Sequence, residues 1–155
     1  MVARRRFAVN HRRSRSLPQS ELAMPHFTIE YSANLDDRVD LAAVVELVRA
    51  AAVETGLFAL DGIRVRAVRC DNYAIADGRD GLSFMAMLLR LNEGREAVAR
   101  KHAGDHIFRK LSHYLEPLFA DDSFALSFDI KVHDREAGWE RNSIHDLLIN
   151  EVRHG

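Results

Sequence analysis

The sequence predicts an α+β fold in which two β-α-β units form one four-stranded sheet. Four segments carry strand-type patterns and two longer segments carry helical spacing, in the order strand, helix, strand, repeated once. Each connection is long enough to make the two strands of its unit parallel. We therefore expect both helices on one face of the sheet.

The strand predictions depend on alternation and on apolar runs. Apolar and polar residues alternate over 26–32 and again over 63–70, and 124–132 forms a fourth strand-like segment. Residues 82–91 are almost continuously apolar, as expected for a strand covered on both faces. Because two helices cover one face, we expect other subunits to cover the second, in a closed ring.

Three helices are predicted between and after these strands. Asp40 is a suitable N-cap for a helix over 41–55. A longer helix is predicted over 96–119, with Pro117 in its last turn, and a short one over 144–152. Tyr31, Phe58, Phe128 and Trp139 fit either the lining of an apolar pocket or the core, and we expect the core.

Composition limits the possible classes of protein. The 155 residues suit one domain, and 47% hydrophobic with 29% charged residues is typical of globular proteins. No apolar run approaches the ~20 residues that cross a bilayer, so we expect no membrane span. Cys70 is the one cysteine, which excludes an internal disulfide and a multi-thiolate zinc site. We therefore expect a cytoplasmic protein.

Charge is divided unevenly along the chain. Residues 1–23 contain six arginines and one glutamate, a net charge of +5. The remaining residues contain 16 basic and 22 acidic side chains, a net charge of −6. A basic nucleic-acid-binding face is therefore not expected on the globular part.

The first 24 residues form a separate segment in this reading. They lack the apolar stretch of a signal peptide. Four interpretations remain: a flexible tail, a targeting segment, a nucleic-acid-binding arm, or residues translated from upstream of the true start. We favour the last, and so expect 1–24 to be a basic extension, disordered or wrongly assigned, and 25–155 to be the domain. Removal of Met24 as the initiator would leave Pro25 as the first residue.

A set of short motifs resembles one known family. The segment PHFTIEYS, which begins at Pro25, resembles the start of 5-carboxymethyl-2-hydroxymuconate isomerases, a family in the tautomerase superfamily. The resemblance continues in order to the C terminus. Its further motifs are TGLF at 55–58, GIR at 62–64, ADG at 76–78, GR at 94–95, LSF at 126–128 and NSIH at 142–145.

The resemblance implies a function and a site. It implies a tautomerase-like homotrimer, without metal or organic cofactor, that moves a proton between carbons of an unsaturated di- or tricarboxylate. Such reactions belong to the degradation of homoprotocatechuate and related aromatic acids. The matching motifs imply that Pro25 is the general base and that Arg64 and Arg95 bind substrate carboxylates. The implied partner is a small molecule, with neither nucleic acid nor membrane.

The proposed base is chemically reasonable if Pro25 is the first residue. A general base works best with a pKa near the working pH, and a free α-amino group titrates near 8. One arginine at ~6 Å, with an effective dielectric of ~20, lowers an amine pKa by roughly two units. An acylated Pro25 would instead be an amide without a basic lone pair.

Other interpretations remain open at this point. Pro25 fits a strand-edge proline, Arg64 shares a strand face with Arg66 and fits pairing with acidic neighbours, and Arg95 fits an exposed loop. The alternative functions are another activity of the tautomerase superfamily, or a non-catalytic trimeric binding module if the extension is retained. The exact substrate and the stereochemistry of proton transfer do not follow from the sequence.

Overall fold

The computed structural model describes residues 24–154 and contains four strands and three α-helices. The predictions for residues 1–23 lie outside the described part. The elements are β1 (His26–Ser32), α1 (Leu41–Glu54), β2 (Arg64–Cys70), β3 (Ser83–Asn92), α2 (Ala97–Tyr114), β4 (Phe124–His133) and α3 (Ile144–His154).

The four strands form one mixed sheet in the order β2-β1-β3-β4. β1 pairs with β2 in parallel, and β3 pairs with β4 in parallel. The two units meet through an antiparallel pairing of β1 with β3. The two predicted β-α-β units are thus confirmed. Their junction places the beginnings of β1 and β2 beside the ends of β3 and β4.

Local signals fix the ends of the helices. The side chain of Asp40 accepts a hydrogen bond from the backbone N–H of Ala43 at 3.1 Å, as predicted for an N-cap. The prediction that α2 reaches residue 119 is wrong. The helix ends at Tyr114, and Glu116–Phe119 forms a 3-10 turn that contains Pro117. Proline lacks the N–H that an α-helix would use there and clashes with the preceding turn.

The core lies between the sheet and the two long helices. Phe27 and Ile29 of β1 are fully buried, together with Val48 of α1 and Ile107 of α2. On β3, alternate residues are buried, whereas Leu88 on the opposite face is 40% exposed. One chain therefore covers one face of the sheet, and coverage of the other by further subunits remains a prediction.

The C-terminal segment returns to the beginning of β2. Asn142 and His145 contact Asp61, which lies in the 3-10 turn Leu60–Gly62 before that strand. Trp139 is 92% exposed, so its predicted place in the core is wrong. Among the described residues, no helix has the length and apolarity to span a membrane.

Candidate active site

All three residues predicted for the site lie at one end of the sheet. Pro25 directly precedes β1, Arg64 begins β2, and Arg95 follows the end of β3. Because β3 runs antiparallel to β1, its end lies beside the beginning of β1. The topology thus gathers residues that are distant in sequence around Pro25.

Pro25 is buried, and Met24 beside it is partly exposed. The carbonyl oxygen of Pro25 accepts a hydrogen bond from the backbone N–H of Arg64 at 3.0 Å. This bond extends the pairing of β1 with β2 beyond the first residue of β1. In the 155-residue chain, the nitrogen of Pro25 is bonded to Met24 and is an amide nitrogen.

Arg64 lies directly beside His26 in the sheet and bends back toward the preceding turn. Its Nη1 donates to the carbonyl oxygen of Gly62 at 2.9 Å and to that of Asp61 at 3.4 Å. These acceptors are neutral carbonyl groups. The guanidinium charge is therefore held in position without being neutralised by them.

Arg95 lies in the protein interior on the other side of β1. Only 8% of it is exposed, so the interpretation as an exposed loop residue is wrong. Its Nε donates to the carbonyl oxygen of Leu57 at 3.3 Å, and its guanidinium carbon lies 5.4 Å from the ring centre of Phe58. That ring packs edge-on against Phe27 at 6.1 Å. Burial lowers the pKa of Arg95.

A cavity of about 830 Å³ opens on the face of the sheet that the helices leave uncovered. Its walls include Met24, His26, Arg90, Lys131, His133 and Trp139. Neither Arg64 nor Arg95 contributes to these walls. The volume suits a small organic molecule. Met24, the residue bonded to the nitrogen of Pro25, forms part of the wall.

The electrostatic field around the cavity is positive. The pKa of His26 is lowered, first by burial and then by the charges of Arg90, Arg64, Arg66 and His133. Repulsion from cations disfavours the protonated imidazole. The same field would act on a free amine at the neighbouring residue, Pro25.

Sequence reasoning missed His26, Arg90, Lys131 and His133 as site residues. Alternation assigned each to a strand face, but nothing in the sequence paired those faces with one another. No group of three or more His, Cys, Asp or Glu side chains in residues 24–154 is arranged to bind a metal ion.

Comparison with known proteins identifies the family to which this geometry belongs. A family model described as 5-carboxymethyl-2-hydroxymuconate isomerase matches residues 25–148. An Escherichia coli protein, 5-carboxymethyl-2-hydroxymuconate Delta-isomerase, is 32% identical over 125 residues, which cover 81% of this chain and 99% of that protein.

Two solved structures have the same fold. A 5-carboxymethyl-2-hydroxymuconate isomerase from Deinococcus radiodurans R1 has a TM-score of 0.77 at 29% identity, covering 82% of this chain and 96% of that one. A 5-carboxymethyl-2-hydroxymuconate delta-isomerase has a TM-score of 0.76 at 29% identity, covering 84% and 97%. The fold and the family match define an isomerase of the tautomerase superfamily. Within it, the chain belongs to the 5-carboxymethyl-2-hydroxymuconate isomerase family, as the motifs predicted.

Proposed function

We propose that this chain isomerises 5-carboxymethyl-2-hydroxymuconate or a similar unsaturated carboxylate, without a cofactor, using Pro25 as an N-terminal general base. The observation that carries the proposal is the group of cations around His26, the residue next to Pro25, which adds to burial in lowering the pKa of that histidine. Family membership supports the reaction type, and the family match begins at residue 25, which supports Pro25 as the first residue of the domain.

The proposed step conserves atoms and electrons. The free amine of Pro25 takes the proton of the enol hydroxyl, and the electron pair moves through the conjugated system. The ammonium then returns the proton to a carbon, which gives the ketone. Nearby cations disfavour the protonated form of an amine, which favours its action as a general base.

Arg64 and Arg95 are proposed to bind substrate carboxylates from the two sides of β1. A guanidinium donates two parallel hydrogen bonds to a carboxylate. The desolvated charge of Arg95 would be stabilised by an approaching anion, because burial deprives it of water. A negative charge developing on the substrate oxygen would be stabilised by the same cations.

The proposal includes processing and assembly. Residues 1–24 are absent from the active form, so that Pro25 carries a free amine. The active form is a cytoplasmic homotrimer in aromatic-acid degradation, in which the exposed sheet face, including Leu88, is covered by other subunits.

The test compares two forms of the protein, one beginning at Met1 and one beginning at Pro25. We expect the second to consume 5-carboxymethyl-2-hydroxymuconate, followed by ultraviolet absorbance, and the first to be at least ~100-fold slower because its nitrogen is an amide. Intact mass measured on protein from the native host should give a chain that begins at Pro25.

Two variants of the shorter form complete the design. Pro25→Ala should lower kcat strongly without changing the assembly, whereas Pro117→Ala, a proline in an exposed turn far from the site, should not. Equal turnover by the form beginning at Met1 would show that Pro25 is not the base.

A further inference from the structure

The loop that follows α1 contains the motif TGLF at residues 55–58. The hydroxyl of Thr55 accepts a hydrogen bond from the backbone N–H of Leu57 at 3.2 Å and donates one to the carbonyl oxygen of Ala52 at 2.7 Å. Gly56 has a φ of +65°, a left-handed conformation that favours glycine. The first two residues of the motif therefore fix the positions of the last two.

The last two residues of this loop hold the side chain of Arg95 by two different contacts. The carbonyl oxygen of Leu57 accepts a hydrogen bond from Nε of Arg95, and the ring centre of Phe58 lies 5.4 Å from the guanidinium carbon. A cation within ~6 Å of a ring centre is attracted by the negative face of the ring. Only 7% of Phe58 and 8% of Arg95 are exposed, so water screens this attraction little.

The same ring connects Arg95 to the strand that carries the proposed base. Phe58 packs edge-on against Phe27, which follows Pro25 by two residues. Alternate residues of an extended segment lie on one face, and both Pro25 and Phe27 are buried. That face is the one that the two long helices cover, so the contacts of Phe58 lie in the interior of one chain.

We propose that Phe58 is a positioning residue, whose aromatic face holds the guanidinium of Arg95 ready for a substrate carboxylate beside Pro25. This inference rests on the proposed function, because it takes Arg95 as a carboxylate-binding residue. A ring suits the task because it attracts a cation without carrying a charge, whereas a carboxylate in its place would compete with the substrate for the guanidinium. Holding the guanidinium before binding also reduces the entropy that is lost when the substrate binds.

The competing interpretation is that Phe58 only fills the core, and the two roles differ in their dependence on the aromatic ring. Phe58→Leu keeps an apolar side chain but removes the aromatic face, whereas Phe58→Tyr keeps that face. Fluorine atoms on the ring weaken its negative face with little change in volume. The analogues 4-fluorophenylalanine and 3,4,5-trifluorophenylalanine at position 58 therefore separate attraction for Arg95 from packing.

The first measurement uses the full-length chain labelled with ¹⁵N and needs no turnover. The N–H group at Nε of Arg95 should exchange slowly with solvent, because it is buried and donates to Leu57. We expect exchange to accelerate about tenfold in Phe58→Leu, to accelerate stepwise with the number of fluorine atoms, and to stay within about twofold in Phe58→Tyr. Phe119→Leu removes a ring from the Phe119–Phe124 pair at the opposite end of the sheet and should leave this exchange unchanged.

The second measurement is the isomerisation of 5-carboxymethyl-2-hydroxymuconate by the form that begins at Pro25. We expect Phe58→Leu to raise KM about tenfold and to change kcat less than about threefold, because the carboxylate is bound in the ground state and the transition state alike. Since Phe58 acts through Arg95, adding Phe58→Leu to Arg95→Gln should raise KM no further. Phe58→Tyr should keep KM within about twofold of the unaltered protein, and Phe119→Leu should not change it.

Two results would refute the positioning role. They are an exchange rate and a KM that do not respond to fluorination, and effects of Phe58→Leu and Arg95→Gln on KM that simply add. Either would show that Phe58 only fills the core. The proposed function fails separately: if the form beginning at Pro25 isomerises nothing while exchange at Arg95 follows the fluorine series, Phe58 does hold Arg95 and the assigned reaction is wrong.

Discussion

Asp61 is expected to control whether the C-terminal segment stays in place beside the cavity. Its carboxylate is only 13% exposed and lies 3.1 Å from Nδ1 of His145. It also accepts a hydrogen bond from Nδ2 of Asn142 at 3.3 Å. Asn142 in turn accepts from the backbone N–H of Ile144 at 3.0 Å, at the beginning of α3. One carboxylate thus connects the turn before β2 to the segment that carries Trp139.

The expected effect follows from these contacts. A hydrogen bond to a charged group contributes about 1.5–3 kcal/mol, and His145 is 40% exposed, so solvent screens part of its interaction. We expect Asp61→Ala to cost about 2 kcal/mol of docking free energy, which raises the released population of the segment about 30-fold. Asp61→Asn keeps the shape and an acceptor oxygen but loses the charge, so an intermediate effect is expected.

Limited trypsin digestion measures the population of chains in which the C-terminal segment is released, because Arg141 is exposed and lies in that segment. When opening and closing are fast relative to cleavage, the cleavage rate follows the open population. Cleavage after Arg141 should accelerate about 30-fold in Asp61→Ala. Cleavage after Arg109 in α2 should change little, since it requires a larger unfolding event.

A matched control removes a carboxylate elsewhere. Asp37→Ala deletes an exposed carboxylate far from the C-terminal segment and should leave cleavage after Arg141 unchanged. The reasoning is wrong if Asp61→Ala behaves like Asp37→Ala. It is also wrong if cleavage after Arg109 accelerates as much as cleavage after Arg141, because the effect would then be global destabilisation.

Four further measurements test the fold and the electrostatics. Asp40→Ala should lower the unfolding free energy by about 1 kcal/mol in urea denaturation, and Asp40→Asn by only a few tenths, because asparagine also caps a helix; equal losses would contradict the cap. The pKa of His26 is lowered in the folded state. Below about pH 6.5 the unfolded chain therefore binds more protons than the folded chain, so the free energy of unfolding should decrease as the pH falls through that range. His26→Gln should weaken the dependence of stability on pH. Arg90→Gln should raise the pKa of His26 in an NMR titration, and an unchanged pKa would show that the charges of Arg90 and His26 do not interact. Gly104→Ala should stabilise the protein by about 0.5 kcal/mol in thermal unfolding, because the helix loses a glycine. The added methyl group meets the terminal Cδ1 of Ile130 at 3.1 Å and Cε1 of Phe128 at an ordinary 3.9 Å. Destabilisation would show that Ile130 cannot move.

Local sequence signals predicted most of the secondary structure correctly. Alternation located β1 and β2, and Asp40 located the beginning of α1, because these features depend on residues close together in the chain. The ordered motifs from Pro25 onward also predicted the family correctly. The predicted end of α2 was wrong because the helix was extended past Pro117. Proline lacks the N–H that a helix needs, so the sequence did contain a signal for an earlier end.

The tertiary structure decided which charges meet. The sequence placed Arg64 and Arg66 on one face of a strand, and the structure confirms this, since both lie on β2 two residues apart. It did not pair His26 with Arg90, because the register between β1 and β3 depends on packing between residues about 60 positions apart.

Burial of the arginine in the loop after β3 was likewise decided by packing. In sequence, Arg95 follows a glycine in a polar loop, which is typical of an exposed position. In the structure it lies over Phe58, which the chain brings there from the end of the first helix. Periodicity predicts on which face of a helix or strand a side chain lies. Contacts between distant segments depend instead on the shape and volume of the side chains that pack between them. The sequence therefore determined the elements and the family, and packing in three dimensions brought Arg64, His26 and Arg90 side by side.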